Sequence, residues 1–361
     1  MFFQFCLTPM INLFCCMFIL AMQSTVLPAA DSSYAQPQST KKTIVDHLDR
    51  AVEIVDDPCR IISLDPISTQ IIYLLNAQDK LIAFDYMSKS SKWVRKIDPD
   101  WSRRHVLTYG KTLPNLEAVA ALKPDLIILG AFFHDQVVQV EKVGPCIAFD
   151  FHSRPAVDAL ELIGKAVGKE KRAQELIEYL DKKITEVTKK TNLIPRKDRP
   201  TVFYESYRSN AGGNLALSTC GNRAYQQGLI EKAGGINLGE NFPVVWQAVD
   251  PELLIKWDPD FIVVPPAVQG QKNSAVQRIE TNPVLNILSA VKNHRYFVTP
   301  DGELSSTANS PEGIIGLQFI AKKLHPDTFA GLNMENEVKE FWTKWYGYRL
   351  SDEEVNQILN P

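Results

Sequence analysis

The chain has no excess of either charge. Against 39 Lys and Arg stand 42 Asp and Glu, a formal net charge of -3 over 361 residues, so the basic footprint that a polyanion requires is missing and nucleic acid drops out as a partner. Gly (18) and Pro (22) are scattered at ordinary levels, which excludes collagen-like and low-complexity architectures. Catalytic templates are absent as well. No G-x-x-x-x-G-K-[ST], H-E-x-x-H, G-x-S-x-G or C-x-x-C occurs, and no strand-like run leads into G-x-G-x-x-G. Gly234-Gly235 comes after a helical run and therefore reads as a helix C-cap with a left-handed glycine, not as a phosphate loop.

Cysteine is scarce and unevenly placed. Cys6, Cys15 and Cys16 lie in the apolar N-terminal stretch, leaving Cys59, Cys146 and Cys220, an odd set without metal-ligand spacing. At most one disulfide fits. Cys59 and Cys146 are its candidate pair, because each comes directly after a proline and opens an apolar run; two small buried thiols are the alternative. Lys and Arg are missing before Lys41. Residues 2 to 22 are nonetheless almost wholly apolar or small, densest from Ile11 to Met22, and Ser33-Tyr34-Ala35 supplies a small-residue cleavage pattern. The expectation is an export signal over residues 1 to 35, with an uncleaved membrane anchor as the alternative, since the positive n-region is lacking and Pro9 interrupts the run.

Beyond the N-terminal stretch the chain alternates strand-like and helix-like segments. Apolar, β-branched runs at 60–64, 80–86, 125–130 and 146–151 read as strands, and 69–75 and 116–122 carry apolar residues at helical spacing. The second half repeats the scheme, with strands at 201–205, 261–265 and 295–299 and helices at 224–233, 251–255 and 311–324. Such repetition predicts an α/β fold of parallel sheets with helices on their faces. The length is about twice a typical ~150-residue domain, which suits two lobes. Residues 116–128 are echoed by 251–264, a weak internal duplication. Between the halves, from Lys169 to Thr191, Ala173, Leu176, Ile177, Leu180, Ile184 and Val187 keep a 3.6-residue rhythm. About 23 residues at ~1.5 Å each give a rod of roughly 35 Å, a stiff connector. The expected organisation is a first lobe over 36–155, a helical segment with the connector over 156–192, a second lobe over 193–325 and a helical tail over 326–361.

Five segments in order carry a family resemblance: 51–64 (AVEIVDDPCRIISL), 113–128 (LPNLEAVAALKPDLII), 231–237 (EKAGGIN), 249–262 (VDPELLIKWDPDFI) and 287–298 (ILSAVKNHRYFV). Over about residues 42 to 330 the chain resembles the periplasmic substrate-binding proteins of ABC importers for siderophores, haem and cobalamin. These have two Rossmann-like lobes joined by a helix. The resemblance implies an exported, monomeric receptor in the periplasm or on the outer face of the cytoplasmic membrane. It would pass a small metal chelate to ABC permease subunits, with no catalysis and no cofactor of its own. An iron-siderophore is the first expectation. Haem, cobalamin, molybdate or tungstate and a nickel complex are the alternatives. An extracytoplasmic α/β enzyme acting on a metal or cofactor is a reading of another class, and a stand-alone scavenger or sensor is a third.

In a two-lobed receptor the ligand sits at the carboxyl ends of the strands. Those ends are aromatic and polar here. The first lobe supplies Tyr86, Trp93, Phe132, His134 and His152, and the second Tyr204, Tyr207, Arg208, Trp246 and Glu303. Rings cover a macrocycle or aryl group, a histidine binds metal or hydrogen-bonds the chelator, and Arg208, with Arg154, Lys89 and Lys92, neutralises an anionic chelate. The core competes for Tyr204 and Phe132, and the surface for the histidines. The resemblance also implies that one glutamate on each lobe meets permease arginines, and the matching positions are Glu117 in Pro114-Asn-Leu-Glu117 and Glu252 in Asp250-Pro-Glu252. Both occupy first turns of helices, where a carboxylate is favoured anyway by the helix dipole. The tail exceeds the minimal family pattern, and similar tails occur in branches linked to molybdate, tungstate or nickel uptake.

Overall fold

A computed structural model describes residues 40–108, 114–131, 134–151, 154–209, 215–266, 275–303 and 309–361. The export signal expected over residues 1 to 35 lies outside them. The described chain opens with an antiparallel hairpin, β1 (Lys41–Val45) and β2 (Ala51–Val55), paired from Lys41↔Val55 to Val45↔Ala51. Five strands come next: β3 (Ile61–Ser63), β4 (Leu81–Asp85), β5 (His105–Thr108), β6 (Leu126–Gly130) and β7 (Cys146–Phe149). They form one sheet in the order β5-β4-β3-β6-β7, parallel at every pairing. Every residue of β3, β6 and β7 is buried, as a sheet covered on both faces requires.

The second lobe repeats this arrangement on a smaller scale. β8 (Thr201–Tyr204), β9 (Ser206–Ser209), β10 (Leu215–Cys220), β11 (Ile236–Asn237), β12 (Trp246–Ala248), β13 (Phe261–Val264) and β14 (Tyr296–Val298) complete the strands. The parallel sheet is β11-β8-β13-β14, and a separate antiparallel sheet runs β12-β10-β9. Neither that antiparallel sheet nor the N-terminal hairpin nor β5 is legible in the apolar runs. Polar residues alternate through them, as in Ser206-Tyr-Arg-Ser209, so their pairing rests on neighbours and not on a buried hydrophobic stripe.

Helix boundaries reflect local chemistry. Asp65, Asn115 and Asp250 each accept a backbone N–H of the first turn, and Pro66 and Pro251 start their helices with φ already set. The observed helices Pro66–Leu74, Leu116–Ala121, Tyr225–Lys232, Pro251–Trp257 and Gly313–Leu324 stand where the spacing predicts them. Gly234 has φ +84 just past the helix Tyr225–Lys232, as its C-cap reading requires. The helix Ala156–Val167 stops at Gly168 (φ +70), and the connector then runs from Glu170 to Thr191. Its rhythm is real: Ala173, Leu176, Leu180 and Val187 are buried against the core, with Tyr179 and Lys183 added to that face.

The tail does not hang from the second lobe. Its helix Met334–Phe341 presents Glu337 and Glu340 to connector Lys183 at 2.6 and 3.1 Å. Trp342 packs edge-on against first-lobe Trp93 at 5.0 Å between ring centroids. Arg172 of the connector donates to the Trp345 carbonyl at 2.9 Å and to the Leu74 carbonyl of the first lobe at 2.7 Å. Lys96 pairs with Glu354. The tail thus straps the first lobe and connector to the helix Gly313–Leu324, which is buried around almost its whole circumference.

Cys59, Cys146 and Cys220 are all free, which corrects the candidate pairing of the first two. Cys59 precedes β3 and Cys146 opens β7, and β6 lies between those strands. Two strand spacings of about 4.8 Å put such positions near 10 Å apart, beyond the ~7 Å Cα separation a disulfide tolerates. Cys59 is exposed, with Sγ 3.5 Å from an Asp125 carboxylate oxygen.

Candidate ligand-binding cleft

The carboxyl ends of the parallel strands gather the polar groups of the molecule. At the end of β3, Ser63, Ser68 and Thr69 form a buried hydroxyl chain, Ser63 Oγ lying 2.6 Å from Ser68 Oγ and accepting from Thr69 Oγ1 at 2.7 Å. Thr69 reaches on to Asp85 at the end of β4, 3.1 Å away, and Asp85 also accepts from Ser88 N and Oγ. These groups fix the first turn of each succeeding helix, so strand-end geometry is rigid at this edge of the sheet.

Charge at this edge is acidic and buried. Asp65, Asp85, Glu303 and Glu312 are each at most 6% exposed. Burial, reinforced by the Asp85 charge, pushes the Asp65 carboxyl up to about 7. Burial likewise raises Asp301 to about 6, against the opposing pull of Lys92. Glu303 is driven well above the usual range, first by burial and then by the charges of Glu312 and Asp85. Glu312 is the most fully hydrogen-bonded member of the group. It accepts from Gln70 Nε2 (3.0 Å), Glu303 N (3.1 Å), Trp342 Nε1 (3.0 Å) and Tyr346 Oη (3.4 Å). Sequence patterning signals Asp65, Asp85 and Glu303 only by their place after apolar runs, and it misses Glu312, whose partners come from separate segments of the chain.

The predicted ligand residues divide into three groups. Tyr86 begins the helix Tyr86–Ser90 directly after β4 and is 48% exposed. Trp246 opens β12 half-buried, its ring 6.1 Å from that of Tyr204 at the end of β8. Tyr204 itself is 1% exposed, so its ring backs Trp246 from the core. Tyr207 and Arg208 lie on β9 opposite Leu217 and Ala216 of β10. His134 opens the helix His134–Val140 after β6. Phe132 and His152 lie outside the described residues. Trp93 is the exception to the strand-end pattern. It sits past the helix that succeeds β4, 2% exposed, with Trp342 at its edge and Lys92 Nζ 4.9 Å over its face, because the tail covers the side that would otherwise meet solvent. Lys89 is likewise engaged, donating to the Trp101 carbonyl at 2.8 Å over the Trp101 ring.

The two glutamates expected at the rim are equivalent. Glu117 and Glu252 each stand in the first turn of a short helix, behind an Asn115 or Asp250 cap that accepts at 3.0 or 2.7 Å. Both are exposed. Among the described residues no group of three or more His, Cys, Asp or Glu side chains is arranged to hold a metal ion.

Comparison with known proteins gives a consistent picture. A family model described as "Periplasmic binding protein" matches residues 61–302. An uncharacterized ABC transporter substrate-binding lipoprotein of Bacillus subtilis is 28% identical over 295 residues, covering 80% of this chain and 86% of the relative. The molybdate-binding protein MolA of Haemophilus influenzae is 21% identical over 91% of this chain and 97% of its own length. Its molybdate-bound structure superposes with a TM-score of 0.72 at 20% identity, covering 86% of this chain and 99% of that one. The Fe(3+)-citrate-binding protein of B. subtilis is 30% identical over 190 residues, 51% of this chain and 56% of its own.

Proposed function

Because the chain belongs to the periplasmic binding protein family, we propose that it is the extracytoplasmic receptor of an ABC importer and that its cargo is a metal chelate, a ferric siderophore before others. The observation that carries the importer reading is the matched pair Glu117 and Glu252, one exposed carboxylate per lobe at the same place in two similarly built halves. Charge pairs of this kind suit a reversible contact with a membrane partner, since they steer encounter without a large apolar seam. The chain is an exported monomer whose first 35 residues are the signal, and no helix among the described residues is long and apolar enough to cross a membrane.

Cargo lies at the strand ends. Trp246, backed by Tyr204, and the exposed Tyr86 supply rings for the organic part of a chelate, and Tyr207 and Arg208 on β9, with His134, supply polar contacts. Glu303 is the second lobe's buried carboxyl at the site, beside Glu312. Ligand is held by these contacts and released unchanged. An oxyanion such as molybdate is the second reading, favoured by the 91% of this chain that aligns with the molybdate-binding relative against 51% for the ferric-citrate one.

Native mass spectrometry with metal analysis tests both readings. The chain from residue 36 onward is exposed to ferric siderophores, ferric citrate, haem, cobalamin, molybdate, tungstate and nickel with histidine. One intact adduct per chain with a ferric chelate is the expected result. An adduct with molybdate or tungstate alone would transfer the assignment to the oxyanion. A ligand returned chemically altered would overturn the receptor reading in favour of an enzyme.

A further inference from the structure

The two lobes are tied by more than the connector. Gln70, in the first-lobe helix Pro66–Leu74, donates from Nε2 to Glu312 Oε2 at 3.0 Å, and Glu312 stands at the start of the second-lobe helix Gly313–Leu324. Both residues are at most 1% exposed. The same Oε2 accepts from Glu303 N at 3.1 Å, so one oxygen joins the segment after β3 to the segment after β14.

Neither residue is explained by its own helix. Gln70 stands among buried Ile67, Ile71, Tyr73 and Leu74, where an apolar side chain would pack without desolvating an amide. Its Oε1 has no hydrogen-bond partner among the described residues, so the bond to Glu312 is what compensates the amide. Glu312 occupies the cap position of its helix, yet its side chain makes no cap bond. The carboxylate is spent elsewhere: Oε1 accepts from Trp342 Nε1 at 3.0 Å and Oε2 from Tyr346 Oη at 3.4 Å. A π-helical turn, Trp342–Tyr346, brings these two tail rings to 4.6 Å between centroids, and such turns are rare and concentrate at functional positions.

Two bodies joined by one helix can still rock about it, and a second attachment outside that helix removes the freedom. Gln70, Glu303, Trp342 and Tyr346 all lie outside the connector Glu170–Thr191. The tail completes the attachment by touching both lobes. Trp342 packs on first-lobe Trp93, Lys96 of the first lobe pairs with Glu354, and the Ile358 carbonyl accepts from second-lobe Asp301 N at 2.8 Å.

We propose that Glu312 is a positioning residue, the clamp that fixes the opening of the interlobe cleft by holding Gln70 of the first lobe, the Glu303 backbone of the second, and Trp342 and Tyr346 of the tail on one carboxylate. Its consequence for cargo rests on the strand-end site proposed above, because Glu303 and first-lobe Tyr86 are then held at a spacing that Glu312 sets.

The test is pulsed electron spin resonance on the ligand-free exported chain. Spin labels go on Ala121→Cys and Lys256→Cys, exposed and one per lobe, in a Cys59→Ser background whose Cys146 and Cys220 are buried. Labels on Lys232→Cys and Lys256→Cys, both exposed, report the second lobe alone. The unaltered clamp should give one narrow interlobe distance distribution. Gln70→Leu, which leaves Glu312 its other donors, should broaden it at least 1.5-fold, and Glu312→Ala at least twofold, with the second-lobe distances unchanged. Glu312→Gln keeps an oxygen for Gln70 and should restore most of the wild-type width. Where Glu312→Ala does not fold, Gln70→Leu combined with Trp342→Phe takes its place. Wild-type width in Gln70→Leu and in the second variant, or equal broadening of the second-lobe pair, overturns the clamp. The distances need no ligand, so a narrow distribution that broadens as expected while mass spectrometry finds no adduct would count against the cargo reading alone.

Discussion

Glu303 donates its backbone N–H to the Glu312 carboxylate at 3.1 Å, while its own carboxylate, 6% exposed, has no hydrogen-bond partner among the described residues. The neighbouring Gln70 amide donates from Nε2 to Glu312 at 3.0 Å. Gly302 makes this approach feasible, since a Cβ at that position would fall 1.9 Å from Glu312 Oε1. Two buried carboxylates at such close quarters are therefore unequal. Glu312 accepts from four donors, whereas the Glu303 carboxyl is driven well above the usual range, first by burial and then by the Glu312 charge.

The consequence is a stability that falls as pH rises. Glu303, Asp65 and Asp301 all have carboxyls raised in the folded state, Asp65 to about 7 and Asp301 to about 6. Below the unfolded carboxylate range both states are protonated and nothing is lost. Above it the unfolded chain gives up protons that the fold retains, so stability drops until the folded values are passed. Glu354 works the other way. Burial raises it, but hydrogen bonds from Lys96, Ser351 and Tyr348 outweigh burial and bring it down to about 2. Its contribution is present above the unfolded range and is lost as pH falls toward that value. Urea midpoints should thus decline from about pH 5 to about pH 8, and Glu303→Gln should flatten that decline and exceed the wild type at the alkaline end. A midpoint that rises over the same interval would contradict the assignment.

Trp342 ties the tail to the first lobe through an edge-on ring contact with Trp93, and its indole N–H donates to Glu312. Trp342→Phe keeps most of the ring and leaves a buried carboxylate one donor short, for about 1–3 kcal/mol. Trp342→Ala adds the cavity and should cost about 3–5 kcal/mol. Equilibrium unfolding in urea reads both. If Trp342→Ala leaves the midpoint unchanged, the tail lies outside the cooperative unit.

How much of this is legible in the amino acids depends on what holds each part together. β6 (Leu-Ile-Ile-Leu-Gly) is buried on both faces and announces itself as an apolar run, and the connector shows its face through Ala173, Leu176, Leu180 and Val187. Both depend on local periodicity. The sheet of β9, β10 and β12 depends on cross-strand neighbours such as Cys220↔Trp246, which no local pattern contains. The site behaves likewise. Tyr86 and Glu303 stand out because they follow strand-like runs, and Trp246 because the loop before the helix at 251 is apolar, whereas Glu312 acquires its role from Gln70, 242 positions away, and from Trp342 in the tail. Trp93 reads as a cleft residue for the same reason in reverse, because the tail that buries it is far along the chain.

Glu117 and Glu252 give a prediction that separates docking from binding. Each helix keeps its cap through Asn115 or Asp250 when the glutamate is removed, so Glu→Ala costs only the dipole interaction, about 0.3–1 kcal/mol. The double variant should lower ligand uptake in cells carrying the cognate permease at least tenfold and leave the affinity of the purified protein within twofold. Each single variant should fall between. Uptake at the wild-type level would mean that the two carboxylates serve only their helices.

Trp246 offers the complementary test, because its ring is half-buried against Tyr204. A ring already packed on its inner face loses little freedom when ligand covers the outer one, so the contact contributes area at small entropic cost. Trp246→Ala should weaken the cargo found by mass spectrometry by about 10- to 100-fold, or about 1.4–2.7 kcal/mol. Trp246→Phe should recover most of that loss. Tryptophan fluorescence supplies a second readout. The wild type should quench on ligand addition, and the quench should shrink in Trp246→Phe, since of the other five tryptophans Trp93, Trp342 and Trp345 are each at most 2% exposed and Trp101 and Trp257 are not among the cargo residues. An undiminished quench in Trp246→Phe, together with unchanged affinity in Trp246→Ala, would place the cargo elsewhere than against β12.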